Sequence, residues 1–292
     1  MTVSELHAVA TTGYAGISGG IMAASIRIGI DPSYLITACA MSAPAALAVS
    51  KILYPETEKT QSDYDTSAKV NPKRYHNVIN AIAAGGLSAV PTVVNLLMSF
   101  IAALGIMESI NAILSWVGGM VGYPSLNFGS ISAWFFMPMT YLMGVEWDDC
   151  FLAAEMIGVK IVTNTLIGFK NLLVLADNRK LGVGPSLSRR SELITTYAMC
   201  GFSNVVSIGT TLGTLSSLAP SRAEELSSIA IRALIAGNAA NFMTACIAGI
   251  LYDDDIDGLM SNFDAMLNAT NSSIPTNSSF GDLLSWNTTD AL

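Results

Sequence analysis

Four side chains in the second half of this chain could together hold a small polar organic molecule. They are the carboxylate of Glu146, the amide of Asn204, the hydroxyl of Ser207 and the ring of Phe202. An ionised carboxylate accepts from two hydroxyls of a polyol, and amide and hydroxyl groups donate to and accept from a heteroaromatic edge. Phe202 offers a face for stacking. Asn204 and Ser207 stand one helical turn apart, so a helix would show both on one face. Glu146 interrupts two apolar runs, and an ionisable group at membrane depth is costly enough to read as functional. These types suit a nucleoside, and a small amino acid or a sugar meets the same chemistry.

Other chemistries find no residues. His7 and His76 are the only histidines, so no Ser/His/Asp or Cys/His arrangement forms, and an enzyme is not expected. Cys39, Cys150, Cys200 and Cys246 are scattered through apolar stretches without CxxC spacing and read as small buried hydrophobes. The net charge of -8 and the lack of a Lys/Arg stripe argue against a nucleic-acid partner. Asp253, Asp255, Asp257, Gly258 and Asp264 have the spacing of a calcium loop, but Ala265 to Asn268 is too short for an exiting helix, so they read as a solvated acidic collar. Met1 to Val9 has neither a positive n-region nor a cleavage site and is not read as a signal peptide.

The elements that must position the four residues are membrane spans. Hydrophobic residues make up 51% of the chain and charged residues 12%, about half the charge of a soluble domain. The apolar residues come in long blocks, several of which meet the roughly 20 residues that a span requires. The pattern predicts spans from Val9 to Ile30 and from Ser33 to Tyr54, then a polar, Lys/Arg-rich loop placed in the cytoplasm. Pro91 is expected to open a span to Ile113, with a short interfacial helix around Trp116 and Tyr123. Ser130 to Leu142 and a second arm ending at Phe169 read as a re-entrant hairpin with Glu146 at its tip. A basic loop from Lys170 to Arg190, a span from Leu193 to Leu218 and a last span from Ile229 to Tyr252 complete the pattern. The tail carries N-x-[ST] sequons at Asn268, Asn271, Asn277 and Asn287, which place it outside the cell. The basic loop then also falls outside, against the positive-inside trend.

Two of these spans are interrupted in similar ways. Gly13-Tyr14-Ala15-Gly16-Ile17-Ser18-Gly19 aligns with Gly201-Phe202-Ser203-Asn204-Val205-Val206-Ser207. Secondary transporters are commonly built from inverted repeats whose discontinuous helices hold substrate and ion near the midplane. Close helix packing also favours small residues; it explains the glycines but not Asn204 beside Ser207.

With these motifs the sequence resembles the concentrative nucleoside transporter family from about Ser4 to Tyr252. The matching stretches are Ser4-Glu5-Leu6-His7-Ala8, Met41-Ser42-Ala43-Pro44, Leu142 to Trp147 (LMGVEW), Cys200-Gly201-Phe202-Ser203-Asn204 and Thr244 to Tyr252 (TACIAGILY). The resemblance implies an all-α, polytopic inverted-repeat transporter with broken helices and a re-entrant hairpin. It implies a homotrimer in the plasma membrane that moves uridine- or adenosine-type nucleosides inward with sodium, and no other cofactor. Glu146 would bind ribose hydroxyls, Asn204 and Ser207 would contact ribose and base, and Phe202 would line the pocket. Backbone carbonyls of Gly16 and Ile17 would bind sodium.

Residues 1–54 are then the broken span and following span of a first repeat, and 55–76 a cytoplasmic loop. Residues 77–125 are the scaffold and trimerisation span with its interfacial helix, 126–252 the second repeat, and 253–292 a disordered, glycosylated extracellular tail. Three departures qualify the likeness. The chain starts after the family's first hairpin, so its Gln-Thr/Ser-Glu tip is absent from this sequence. Gly16 stands where the family has Ser or Thr, leaving Ser18 as the nearby hydroxyl. The signature Asn-Glu-Phe-Val-Ala reads Asn164-Thr165-Leu166-Ile167-Gly168 and loses a carboxylate, although Gly158 and Lys160 match. A rival expectation is therefore a non-transporting membrane interaction subunit.

Overall fold

The computed structural model describes residues 1–59, 76–123 and 126–253. All regular structure among them is helical. Met1–Ile250 form one compact unit, and beyond it Leu251–Asp253 are described. The four sequons, the acidic collar beyond Asp253 and most of the cytoplasmic loop lie outside the described residues.

The first predicted span is two helices. Helix α1 (Val3–Ala15) starts with a capping box: the Thr2 hydroxyl accepts from the Glu5 N–H, and the Glu5 carboxylate accepts from the Thr2 N–H. The chain leaves the helix at Gly16, and Ser18 caps α2 (Gly19–Ile28). Helix α3 (Pro32–Leu53) follows a turn at Gly29 and Ile30, with Asp31 as cap and Pro32 at its first position, where a missing N–H costs nothing. His7 is buried against α3, its Nδ1 2.7 Å from the Ser50 Oγ. It is a packing partner here.

Helix α4 (Val78–Met120) corrects two expectations. It runs unbroken through position 91, and Trp116 belongs to its last turns instead of a separate interfacial helix. A proline removes one N–H donor. The exposed residues on either side are Ile79, Ile82 and Leu87 before it and Val93, Val94 and Leu97 after it. In apolar surroundings, unwinding the chain there would strand more backbone groups than the proline does.

The next three helices redraw the predicted hairpin. Helix α5 (Phe128–Leu142) and α6 (Cys150–Val162) pack so closely that a Cβ on Gly158 would lie 2.0 Å from the Ser132 hydroxyl. The second arm ends at Val162, however, and Phe169 lies in a further helix, α7 (Thr165–Leu181). Most of the predicted basic loop is this helix. Its Asn164 cap accepts from the Leu166 N–H at 2.8 Å, and Phe169, Leu172, Leu175 and Ala176 form a buried stripe at helical spacing. The charged residues that give it the composition of a loop occupy the other faces.

The second interrupted span is α8 (Arg189–Met199) and α9 (Val205–Leu218). The last helix, α10 (Ala223–Leu251), begins before the predicted Ile229, with Glu224 and Glu225 in its first turn, where acids complement the helix dipole. Small residues let it approach its neighbours: Ala240 packs with Ala15 of α1 and Ala45 and Ala46 of α3. The segments Pro32–Leu53 and Pro220–Leu251 are long and apolar enough to cross a membrane, each with a mean hydropathy of 1.6. The helices α1, α2, α5, α6, α8 and α9 have 10 to 15 residues each, about half a span. Trp134, Phe135 and Leu142 on α5 and Ile231 and Ile250 on α10 are exposed, as lipid-facing residues are.

Candidate functional site

The two helix breaks meet. The Phe202 N–H donates to the Gly16 carbonyl at 3.0 Å, joining segments that the sequence could only align. Gly201 makes the approach possible. A Cβ there would fall 2.1 Å from the Asn241 Nδ2 and 2.9 Å from the Ala15 carbonyl oxygen.

Asn204 and Ser207 are both buried, at 1% and 0% exposure. They serve each other first: the Asn204 Oδ1 accepts from the Ser207 N–H at 2.8 Å, and the Ser207 hydroxyl donates to the Asn204 carbonyl at 2.6 Å. Asn204 is therefore the cap of α9 and not a member of its face. The cap uses only the oxygen of the amide. The Asn204 Nδ2 is buried without a hydrogen-bond partner among the described residues, an arrangement that costs free energy until an acceptor arrives. Phe202 is half-buried beside it.

Glu146 is elsewhere. Its carboxylate is exposed, and its N–H lies 3.4 Å from the Ser191 hydroxyl in the first turn of α8. The neighbouring Asp149 carboxylate accepts from the Ser188 N–H at 2.9 Å. Between Ser191 and Cys200, where the break begins, lie about 14 Å of helix, well beyond the reach of a glutamate side chain. The expectation that Glu146 faces Asn204 across one site is corrected: the acid-rich tip is not the tip nearest the break.

The turn that does reach the break is the next one, at Thr163 and Asn164. The Thr165 hydroxyl donates to the Gly201 carbonyl at 2.6 Å. From the same side, the fully buried Lys160 ammonium donates to the Ser203 hydroxyl at 2.6 Å and to the Asn238 Oδ1 at 2.9 Å. Ser203 in turn donates to the Asn238 Oδ1 at 2.9 Å and accepts from the Asn241 Nδ2 at 3.3 Å. Sequence reasoning missed Thr165, Asn238 and Asn241 as neighbours of the break. The available signal was the run Gly158, Lys160, Asn164 and Thr165, whose partial match to a family signature does not by itself place it in space.

At the first break Gly16 and Ile17 are half-buried. The Gly16 carbonyl has a second lone pair beyond the one that takes the Phe202 N–H. The Ser18 hydroxyl, the expected substitute ligand, accepts from the Ile21 N–H at 3.4 Å as a helix cap. A cavity of about 600 Å³ lies apart from these groups, between α4 and the helices α5 to α7, with Glu108, Asn111, Glu155 and Asn171 among its lining residues. It shares Thr163 with the turn but contains none of the predicted ligand residues, so the candidate site is the meeting of the breaks, chosen on geometry and not on cavity size.

Residues 34–249 match the family described as Na+ dependent nucleoside transporter C-terminus. Solute carrier family 28 member 3 of Eptatretus stoutii is 44% identical over 259 residues, covering 86% of this chain and 38% of that protein. Its Homo sapiens counterpart is 42% identical over 285 residues, covering 95% and 41%. Sodium/nucleoside cotransporter 1 of Oryctolagus cuniculus is 42% identical over 259 residues, covering 86% and 39%. The chain thus spans roughly two fifths of the length of these relatives. Among solved structures, CNTnw in an inward-facing substrate-bound state matches with a TM-score of 0.75 at 34% identity, covering 85% of this chain and 57% of that one. With 216 of its 292 residues inside the match, the chain belongs to the Na+ dependent nucleoside transporter C-terminus family, a family of transporters and not of enzymes.

Proposed function

We propose that this chain is the substrate-binding, C-terminal part of a sodium-coupled transporter that takes up nucleosides of the uridine and adenosine type across the plasma membrane. The observation that carries the reading is the buried Asn204 amide nitrogen, left unpartnered where the two broken helices meet. An amide donor there suits a ribose oxygen or a base acceptor, Ser207 lies beside it, and the half-buried Phe202 offers a ring to a base. The Thr163 to Thr165 turn closes the same place and takes the part first expected of Glu146. Sodium is assigned to the break at Gly16 and Ile17, where backbone carbonyls of a broken span, among them the second lone pair of the Gly16 oxygen, can coordinate a cation. The homotrimer expected from the family likeness is part of the proposal, as is the lipid bilayer as surroundings for the exposed apolar helices.

Uridine and adenosine binding to the protein in lipid nanodiscs, measured calorimetrically in sodium and in choline buffers, tests this reading. Asn204→Ala should weaken binding about tenfold or more, combining a lost ligand bond with a weakened cap. The non-transporting membrane subunit makes the opposite prediction, no sodium-dependent nucleoside binding by the wild-type protein, and that result would sink the proposal.

A further inference from the structure

Lys160 has no exposed surface, stands in the last turn of α6, and no carboxylate among the described residues bonds or pairs with it. Burying an ammonium is costly unless hydrogen bonds repay it. A methionine of similar length would fill the space without that cost. What the ammonium holds is therefore informative. Its two acceptors, the Ser203 Oγ and the Asn238 Oδ1, are themselves joined, and Ser203 stands between the residue that bonds Gly16 and the residue that caps α9. The ammonium thus ties α6 to α10 through the non-helical segment that separates α8 from α9.

We propose that Lys160 is a positioning residue for the ligand site. Through Ser203 it holds the segment from Phe202 to Asn204 in the bent form that leaves the Asn204 amide nitrogen unpartnered and aimed at a ligand. The role rests on the reading of that break as the nucleoside site. Lys160 itself touches no ligand in this scheme.

The test compares K160M with the wild-type protein in nanodiscs by two measurements. One is the uridine Kd. The other is the rate at which N-ethylmaleimide labels Cys200, followed peptide by peptide. Cys200 is buried at the edge of the break, and Cys150, buried at the start of α6, is the internal control. Losing both bonds should make local opening of the break about tenfold more frequent. Cys200 labelling should accelerate accordingly, the Kd should rise about tenfold, and Cys150 should stay protected. Unchanged Cys200 labelling overturns the proposal, and so does faster labelling with an unchanged Kd. Equal loss of protection at Cys150 also overturns it, because Lys160 would then serve the fold as a whole. If K160M does not insert, K160Q, which keeps a donor without the charge, is judged on the same readouts. If the wild-type protein binds no uridine, the proposed function fails, and the contrast between Cys200 and Cys150 alone decides whether Lys160 holds the break.

Discussion

The two turns that flank α6 differ in a way that composition inverts. The first, between α5 and α6, is rich in acids: Glu146, Asp148 and Asp149 follow one another with only Trp147 between. Its contacts run to the first turn of α8, where Asp149 and the Glu146 backbone bond Ser188 and Ser191. The second turn, at Thr163 and Asn164, is neutral and short, yet Thr165 beside it bonds the backbone of the broken helix. A charge placed between apolar runs identifies a polar location, and the reach of the next helix decides which polar location meets the helix break. Charge attracts the functional reading to the first turn, and geometry moves it to the second.

The largest effect that would sharpen this comparison is expected where the second turn meets the break. Gly201→Val places a branched side chain against Asn241 and the Ala15 carbonyl, and should destabilise the protein by ~3 kcal/mol while removing detectable nucleoside binding; a melting curve and calorimetry measure both. Thr165→Val keeps the shape and removes one hydroxyl. It should cost about 1 kcal/mol at the break and weaken uridine roughly fivefold, and an unchanged affinity would separate the turn from the site. The smallest effect belongs to the first turn: Glu146→Gln should change the uridine Kd by less than about twofold, since its carboxylate is exposed and distant from Asn204. A loss of binding in that variant would restore the acid-rich tip as part of the site and break the comparison outright.

The helix breaks themselves were legible. Glycines and small polar residues within apolar runs at Gly13 to Gly20 and Gly201 to Gly209 have few physical uses other than interruption or close packing, and the structure uses them for both. Asn204 and Ser207, the proposed core of the site, could be singled out for the same reason, since they are polar groups inside apolar runs of the sequence. The bond from Phe202 to Gly16 was not legible, because it pairs residues far apart in the chain and no local spacing encodes it. Helix α7 was missed because its charges, Lys170, Asp177, Arg179 and Lys180, outweigh a stripe of only four or five buried residues. Position 91 misled because a proline is a local signal, whereas the surroundings that keep the helix intact are not.

The contact between Phe202 and Gly16 has a thermodynamic consequence. One oxygen serves as acceptor for the substrate-side break and, in the proposed transporter, as ligand for the coupling cation. A cation drawn to its second lone pair polarises the carbonyl and alters the bond that Phe202 makes with the first. Whatever factor the ion imposes on nucleoside affinity, the nucleoside must impose on the ion, because linkage between two binding equilibria is reciprocal. Symport needs such a mutual dependence, and in the proposed transporter a single shared atom, rather than a relay of residues across the fold, would supply it.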